Sequence, residues 1–177
     1  MQIILLFQVL LFDKSQKKIA YDPSNGYINV VYRGSNNISV INVANNEIIA
    51  NLSLGLTWGV TGPLVSSEPL DIAYDPSNNY LYLANTIGNS LILINGTTNT
   101  VVSNIKVGIF PGGLAFDPTN DYLYVTDFYY SDRPWPEGLG NTSSNTVFVI
   151  SSITNKIIAN ISVGLDPIEV AVDTLNG

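Results

Sequence analysis

Ile72-Ala73-Tyr74-Asp75-Pro76-Ser77-Asn78-Asn79-Tyr80 occurs three times in this chain with small changes. Ile19-Ala20-Tyr21-Asp22-Pro23-Ser24-Asn25-Gly26-Tyr27 precedes it, Leu114-Ala115-Phe116-Asp117-Pro118-Thr119-Asn120-Asp121-Tyr122 follows it, and Val170-Ala171-Val172-Asp173 begins a fourth copy. Each copy reads as an apolar strand running into a turn: Pro presets φ, and Asp and Asn side chains bond back to the backbone. A second anchor, Leu54-Gly55, Val107-Gly108 and Val163-Gly164, closes each copy. Asp22 to Gly55 and Asp75 to Gly108 both span 33 residues, and Asp117 to Gly164 spans 47. The unit is therefore 42 residues long. One insertion falls at 56–66, between two units, and the other falls within 128–144, inside the third.

Within a unit the apolar residues alternate over four short runs, which in the second unit are 70–74, 80–84, 91–95 and 100–107. Asn95-Gly96 and the polar residues after it mark another turn. No window carries a helical period. Four strands in about 40–45 residues is the size of a β-propeller blade. The fold class expected is all-β, a propeller arc of about three to four four-stranded blades with a 42-residue repeat that does not close a ring. The blades are placed at about 16–55, 69–108 and 111–164, with an inner strand at 167–177. Residues 1–15, which include the apolar run Ile3 to Phe12, match the last strand of a preceding blade. Ten residues are too few to span a bilayer, and neither a basic flank nor a small-residue cleavage site marks a signal peptide. An open arc exposes apolar blade faces, so further blades or another chain are expected to cover its ends.

The repeated text resembles the YVTN-type β-propeller repeat of surface-layer and exported proteins. The match runs through Ile72-Ala73-Tyr74-Asp75-Pro76, Tyr80-Leu81-Tyr82-Leu83-Ala84-Asn85 and Ile105-Lys106-Val107-Gly108. The namesake motif is Tyr124-Val125-Thr126-Asp127, with Asp in place of the usual Asn. The resemblance covers about residues 16–177. It implies the propeller fold and a place outside the cell or in its envelope, and it leaves function open, since one fold hosts many functions.

Composition closes most routes to catalysis. The chain has no cysteine and no histidine, which removes thiolate nucleophiles, the commonest general base and the usual zinc ligands. No cofactor and no metal are expected. Seven basic residues against fourteen acidic ones exclude the basic patch that nucleic acid needs. Charged residues are 12% of the chain, while Asn alone occurs 21 times. Neutral polarity of this kind suits an exported protein and equally a cytosolic β-protein with Asn-rich turns.

Because strands alternate in direction, both insertions belong to one face of the disc. They hold both tryptophans, and the binding candidates are Trp58, Tyr129, Tyr130, Asp132, Arg133, Trp135 and Glu137. Aromatic groups beside Arg and carboxylates suit a protein interface or sugar stacking; they equally suit loops that fold down and seal themselves on the disc. Glu68, Asp71, Asp166 and Glu169 precede inner strands, either as channel-mouth carboxylates or as solvated loop charges. Asn37, Asn51, Asn95, Asn141 and Asn160 begin Asn-x-Ser/Thr sequons, glycan acceptors if the chain is exported. The function expected is a non-catalytic extracellular or envelope module that binds a protein or glycan partner through the insertion face. A fragment resembling lactonase-type propeller hydrolases and a structural spacer are the alternatives.

Overall fold

Alternating apolar residues bounded by turn formers make antiparallel strands, and fourteen are present among the residues that the computed structural model describes: 17–32, 36–55, 57–59, 62–65, 68–128 and 144–174. Blade 1 contains β1 (Lys17–Asp22), β2 (Tyr27–Tyr32), β3 (Asn37–Asn42) and β4 (Glu47–Ser53). After a short hairpin of β5 (Thr57–Gly59) and β6 (Gly62–Val65), blade 2 contains β7 (Pro69–Asp75), β8 (Tyr80–Asn85), β9 (Ser90–Asn95) and β10 (Thr100–Lys106). Blade 3 contains β11 (Pro111–Asp117), β12 (Tyr122–Asp127), β13 (Thr146–Ser151) and β14 (Lys156–Ser162). Every four-stranded sheet has its strands in sequence order, and β7 packs against both β1 and β11. The chain is thus an unclosed β-propeller arc with no helix among the described residues.

The middle strands read as continuous apolar runs because both of their faces are buried. Leu81, Leu83, Ile92 and Ile94 pack against blade 1 around Val31, Ile38 and Val40. Their alternates Tyr82, Ala84, Leu91 and Leu93 pack against blade 3 around Leu114, Leu123 and Val125. A period of two thus divides one sheet between two interfaces. Burial of a Leu or Ile side chain is worth about 1.5–3 kcal/mol, so these clusters dominate the joints between blades.

The Asp-Pro turns are built alike. Ser24 N–H and Oγ donate to Asp22 Oδ1 at 2.9 and 2.6 Å, and Ser77 and Thr119 do the same to Asp75 and Asp117. The residue before each second strand has positive φ: Gly26 at 72°, Asn79 at 60° and Asp121 at 58°. Only Gly, Asn and Asp visit that region readily, which explains the choice of residues. The turns also clasp the next blade: Asn25 Nδ2 donates to Gly96 O (3.1 Å) and Asn78 Nδ2 to Ser152 O (3.4 Å).

The insertion at 56–66 carries the β5–β6 hairpin, so it is a structured arm rather than a plain loop. Of the segment expected as an inner strand at 167–177, residues 167–174 are described and carry no strand ladder, and 175–177 lie outside the described residues. Ile168 O accepts from Gly113 N–H at 2.9 Å. The expected N-terminal strand at 1–15 lies outside the described residues.

Candidate functional site

One register position of the repeat, four residues before each repeat aspartate, brings its residues together. It is Lys18 in blade 1, Asp71 in blade 2, Gly113 in blade 3 and Glu169 in the segment after blade 3. Lys18 Nζ donates to Glu169 Oε1 at 3.0 Å and lies 3.8 Å from Asp71 Oδ1, across 151 positions of sequence in the first case. Asp71 is also held by the backbone: Ile72 N–H donates to Oδ1 and Leu114 N–H to Oδ2, both at 2.9 Å.

Burial pushes the Asp71 carboxyl above its ordinary value, against the pull of those two N–H groups and of Lys18. Burial pulls Lys18 down, but the hydrogen bond with Glu169 and the charges of Asp71 and Glu169 more than offset it and hold the amine above its usual value. Gly113 makes room for the fourth member. A Cβ there would lie 2.8 Å from Glu169 Cα and from Ile168 O, both main-chain atoms that cannot swing aside. Thr126 Oγ1 completes the seat, accepting from Gly113 N–H at 2.8 Å and donating to Ile168 O at 3.1 Å. One ammonium is shared between two carboxylates, whose charge it offsets only in part. Among the described residues no group of three or more His, Cys, Asp or Glu side chains is placed to hold a metal ion.

The second feature is the face formed by the second-to-third strand loops and the links between blades. Ile87, Phe110 and Phe128 bury one another there, with Leu70 against them. Asp127 fixes the root of the long insertion. Its Oδ1 accepts from Ile109 N–H (2.9 Å) and Phe110 N–H (2.8 Å), and its Oδ2 accepts from Ser144 Oγ (2.9 Å). Asp166 N–H donates to Ser144 O and Val163 N–H to Asn145 O, at 2.8 and 2.7 Å, so the far end of the insertion is tied to the link after β14. Asp127 shares its repeat position with Tyr32 of blade 1 and Asn85 of blade 2. The matching Asn85 bonds within its own loop, to Gly88 N–H and Ser90 Oγ.

Of the expected channel-mouth carboxylates, Asp71 and Glu169 meet through Lys18. Glu68 and Asp166 sit instead in the links between blades, at φ 42° and 55°. Trp58 lies in β5, its backbone paired with Leu64. Tyr129, Tyr130, Asp132, Arg133, Trp135, Glu137 and Asn141 lie outside the described residues. Asn37 opens β3, Asn51 and Asn160 lie exposed on outer strands, and Asn95 Oδ1 accepts from Thr97 and Thr98 N–H at 2.9 and 3.0 Å. Sequence reading passed over Lys18 and the anchoring part of Asp127. Lys18 was legible from the repeat, because it shares its position with Asp71 and Glu169.

No protein-family model matches the chain, and no curated protein matches it either. Solved structures do match in fold. Hydrazine synthase of Kuenenia stuttgartiensis superposes with a TM-score of 0.67 at 16% identity, over 86% of this chain and 37% of that one. U3-55K gives 0.64 at 14%, over 90% and 44%, and the WD40 repeats of RRP9 give 0.63 at 14%, over 90% and 43%. The chain therefore spans less than half the length of each of these structures. Likeness at such identity is a likeness of fold: this chain has the architecture of a β-propeller, in part.

Proposed function

We propose that the chain is a non-catalytic interaction module that holds a protein partner on its insertion-bearing face, in a protein of the cell exterior or envelope. The asymmetry between its two faces carries the reading. One face has only minimal turns, each held by side-chain hydrogen bonds to its own repeat aspartate. The other has a two-stranded arm at 56–66 and a long insertion whose two ends meet at Asp127 and Ser144. Loops raised on a rigid scaffold are where binding residues concentrate. Trp58 and Trp135, with Tyr129, Tyr130, Asp132, Arg133 and Glu137, have the aromatic and Arg content of interface anchors. The exterior setting draws support from the repeat resemblance and from a surface whose polarity is mostly neutral. In that setting the sequons would accept glycans.

The test compares the full chain with Trp135→Ala and with a variant shortened across 130–142 that keeps Asp127 and Ser144. Immobilised on a resin, wild type is expected to retain a protein from an extract of its source, and both variants to lose it while melting within a few degrees of wild type. Capture that survives proteolysis of the extract but not glycosidase treatment would assign the face to a glycan instead. A large drop in melting temperature on shortening the loop would make the aromatics packing groups and remove the proposal.

A further inference from the structure

All three outer strands share one irregularity. The pairing of β4 with β3 steps from Val40–Ala50 to Ile41–Ile48 and leaves Ile49 as an extra residue. β10 passes over Val102 in the same way against β9, and β14 passes over Ile158 against β13. A bulge of this kind re-aims side chains that would otherwise alternate between faces. The result is a pair of exposed β-branched residues on each blade: Ile48 and Ile49, Val101 and Val102, Ile157 and Ile158, each between 39% and 53% accessible. Blade 2 has a neighbour on either side and exposes its pair as fully as blades 1 and 3. The exposure is therefore a property of the rim and not of the open ends of the arc. The bulge also interrupts the free backbone edge, which works against strand addition, so a partner at the rim meets side chains.

The first residue of the outer strand differs from blade to blade: Glu47, Thr100 and Lys156. Glu47 and Lys156 are both exposed. Beyond them β4 and β14 are nearly the same text, Ile-Ile-Ala-Asn-Leu-Ser and Ile-Ile-Ala-Asn-Ile-Ser. We propose that the rim joins copies of this chain, with β4 of one copy packed beside β14 of another, apolar pair against apolar pair and Glu47 level with Lys156. Two copies with the same face upward present these strands in parallel, which brings the opposite charges together. A two-fold contact of β4 with β4 sets Glu47 beside Ser53 when the axis crosses the strands and beside Glu47 when it runs along them, and neither arrangement is complementary. Charge thus selects a heterologous contact, in which each copy offers one acidic and one basic rim. The contact is small, well below the roughly 1,200 Å² of a standard interface, so the association is weak and read at high concentration.

Sedimentation velocity of the full chain, from about 5 µM to about 1 mM at low and high salt, tests this. Wild type is expected to gain mass with concentration, less so in high salt. E47K and K156E each set like charges together and weaken association about tenfold, whereas the E47K/K156E double variant restores it. I49N/I158N abolishes it with an unchanged melting curve; if that variant fails to fold, the charge swaps decide alone. A chain that stays monomeric throughout, or one whose association ignores all these changes, overturns the proposal. So does a monomer that binds phosphatidylcholine vesicles through Ile49 and Ile158, which would give the stripe to a lipid surface.

Discussion

Asp75 and Asp117 hold the same turn in successive blades, yet replacing each with Asn is expected to have unequal effects. Both are buried, and both accept two hydrogen bonds at Oδ1, from the N–H and hydroxyl of the residue two positions on. At Asp117 the other oxygen accepts from Asn120 Nδ2 at 2.8 Å. At Asp75 the matching Asn78 has turned away to Tyr82 OH (3.2 Å) and Ser152 O (3.4 Å), and Oδ2 is buried without a partner. Asp117→Asn sets an amide against the Asn120 amide, donor against donor. It loses a hydrogen bond to a charged group, worth about 1.5–3 kcal/mol. Asp75→Asn keeps the two bonds at Oδ1 and turns the orphaned acceptor into a donor near Ser152, whose Oγ is also buried and unpartnered. Its cost is about 0–1 kcal/mol. The difference, about 2 kcal/mol, corresponds to roughly 4–8 °C in melting temperature for a domain of this size. Urea titrations of both variants against wild type read it directly, with the slope m checked for change because stacked blades need not unfold as one unit. An Asp75→Asn variant as unstable as Asp117→Asn would refute the reasoning, since the two turns would then be equivalent in energy as well as in sequence.

Alkali is expected to destabilise the chain, and Tyr82 and Lys18 are two of the groups responsible, beside Tyr74, whose hydroxyl burial also raises. Burial first, with the charge of Asp75 and Tyr80 adding to it, pushes the Tyr82 hydroxyl up to about 12, from 10.0 in the unfolded chain. That contribution, on the order of 2 kcal/mol, is fully present below pH 10 and lost as pH rises toward 12, so Tyr82→Phe should flatten the fall of melting temperature over that range. Lys18 is also raised, from 10.5, and its share is likewise complete below that pH and lost above it; Lys18→Met is expected to cost no more than about 1 kcal/mol near neutrality, as exposed ion pairs do. Gly113→Val should displace the main chain at Ile168 and Glu169, costing about 1–3 kcal/mol, with amide exchange at 167–170 rising far more than in blade 1. Asp127→Ala should free the root of the insertion, seen as faster proteolysis within 129–143 at a modest loss of stability, about 1–3 kcal/mol for the donors left unpaired.

Much of the architecture was legible because the same physical problem is solved three times. The expected strands 70–74, 80–84, 91–95 and 100–107 agree within about a residue at each end with β7 to β10, since each is fenced by residues that only a turn accommodates. Asn79, Asn99 and Asn155 sit where φ is positive, and repeats that keep such residues announce where strands must stop. The hairpin at 56–66 was not legible. Thr57-Trp58-Gly59-Val60-Thr61-Gly62-Pro63 interrupts its strand formers with two glycines and a proline, and it has no second copy to compare with. The clamp at Asp127 was invisible for another reason. Its partners Ile109, Phe110 and Ser144 lie up to 18 positions away and act through backbone and hydroxyl groups that no side-chain pattern records.

Where the blades differ, the differences are organised. At the axial position the repeat holds Lys, Asp, Gly and Glu in turn, and each identity answers its neighbours: the lysine is shared by two carboxylates, and the glycine admits the backbone that carries the second of them. The position that is Tyr82 in blade 2 is Asn29 in blade 1, where the smaller side chain leaves its Oδ1 buried without a partner. Tyr82 instead reaches Asn155 Oδ1 at 2.9 Å and accepts from Asn78, which makes no bond to Asp75, whereas in blade 3 Tyr124 holds the same position and Asn120 bonds both Asp117 Oδ2 and Tyr124 OH. The turn of blade 2 is thus tied to blade 3 by a hydrogen-bond network that runs from Asn78 and Tyr82 to Ser152 and Asn155. Restoring repeat symmetry one residue at a time should then be non-additive within such a network and additive between them. Asn29→Tyr and Asp75→Asn lie at different blade joints, so their stability effects should simply sum. Tyr82→Asn and Asp75→Asn fall within that one network, so removing the hydroxyl that Asn78 bonds is expected to change the cost of the second substitution. A double-mutant cycle that finds no coupling for the second pair would mean that each turn is energetically self-contained, and that the blades are joined by their apolar clusters alone.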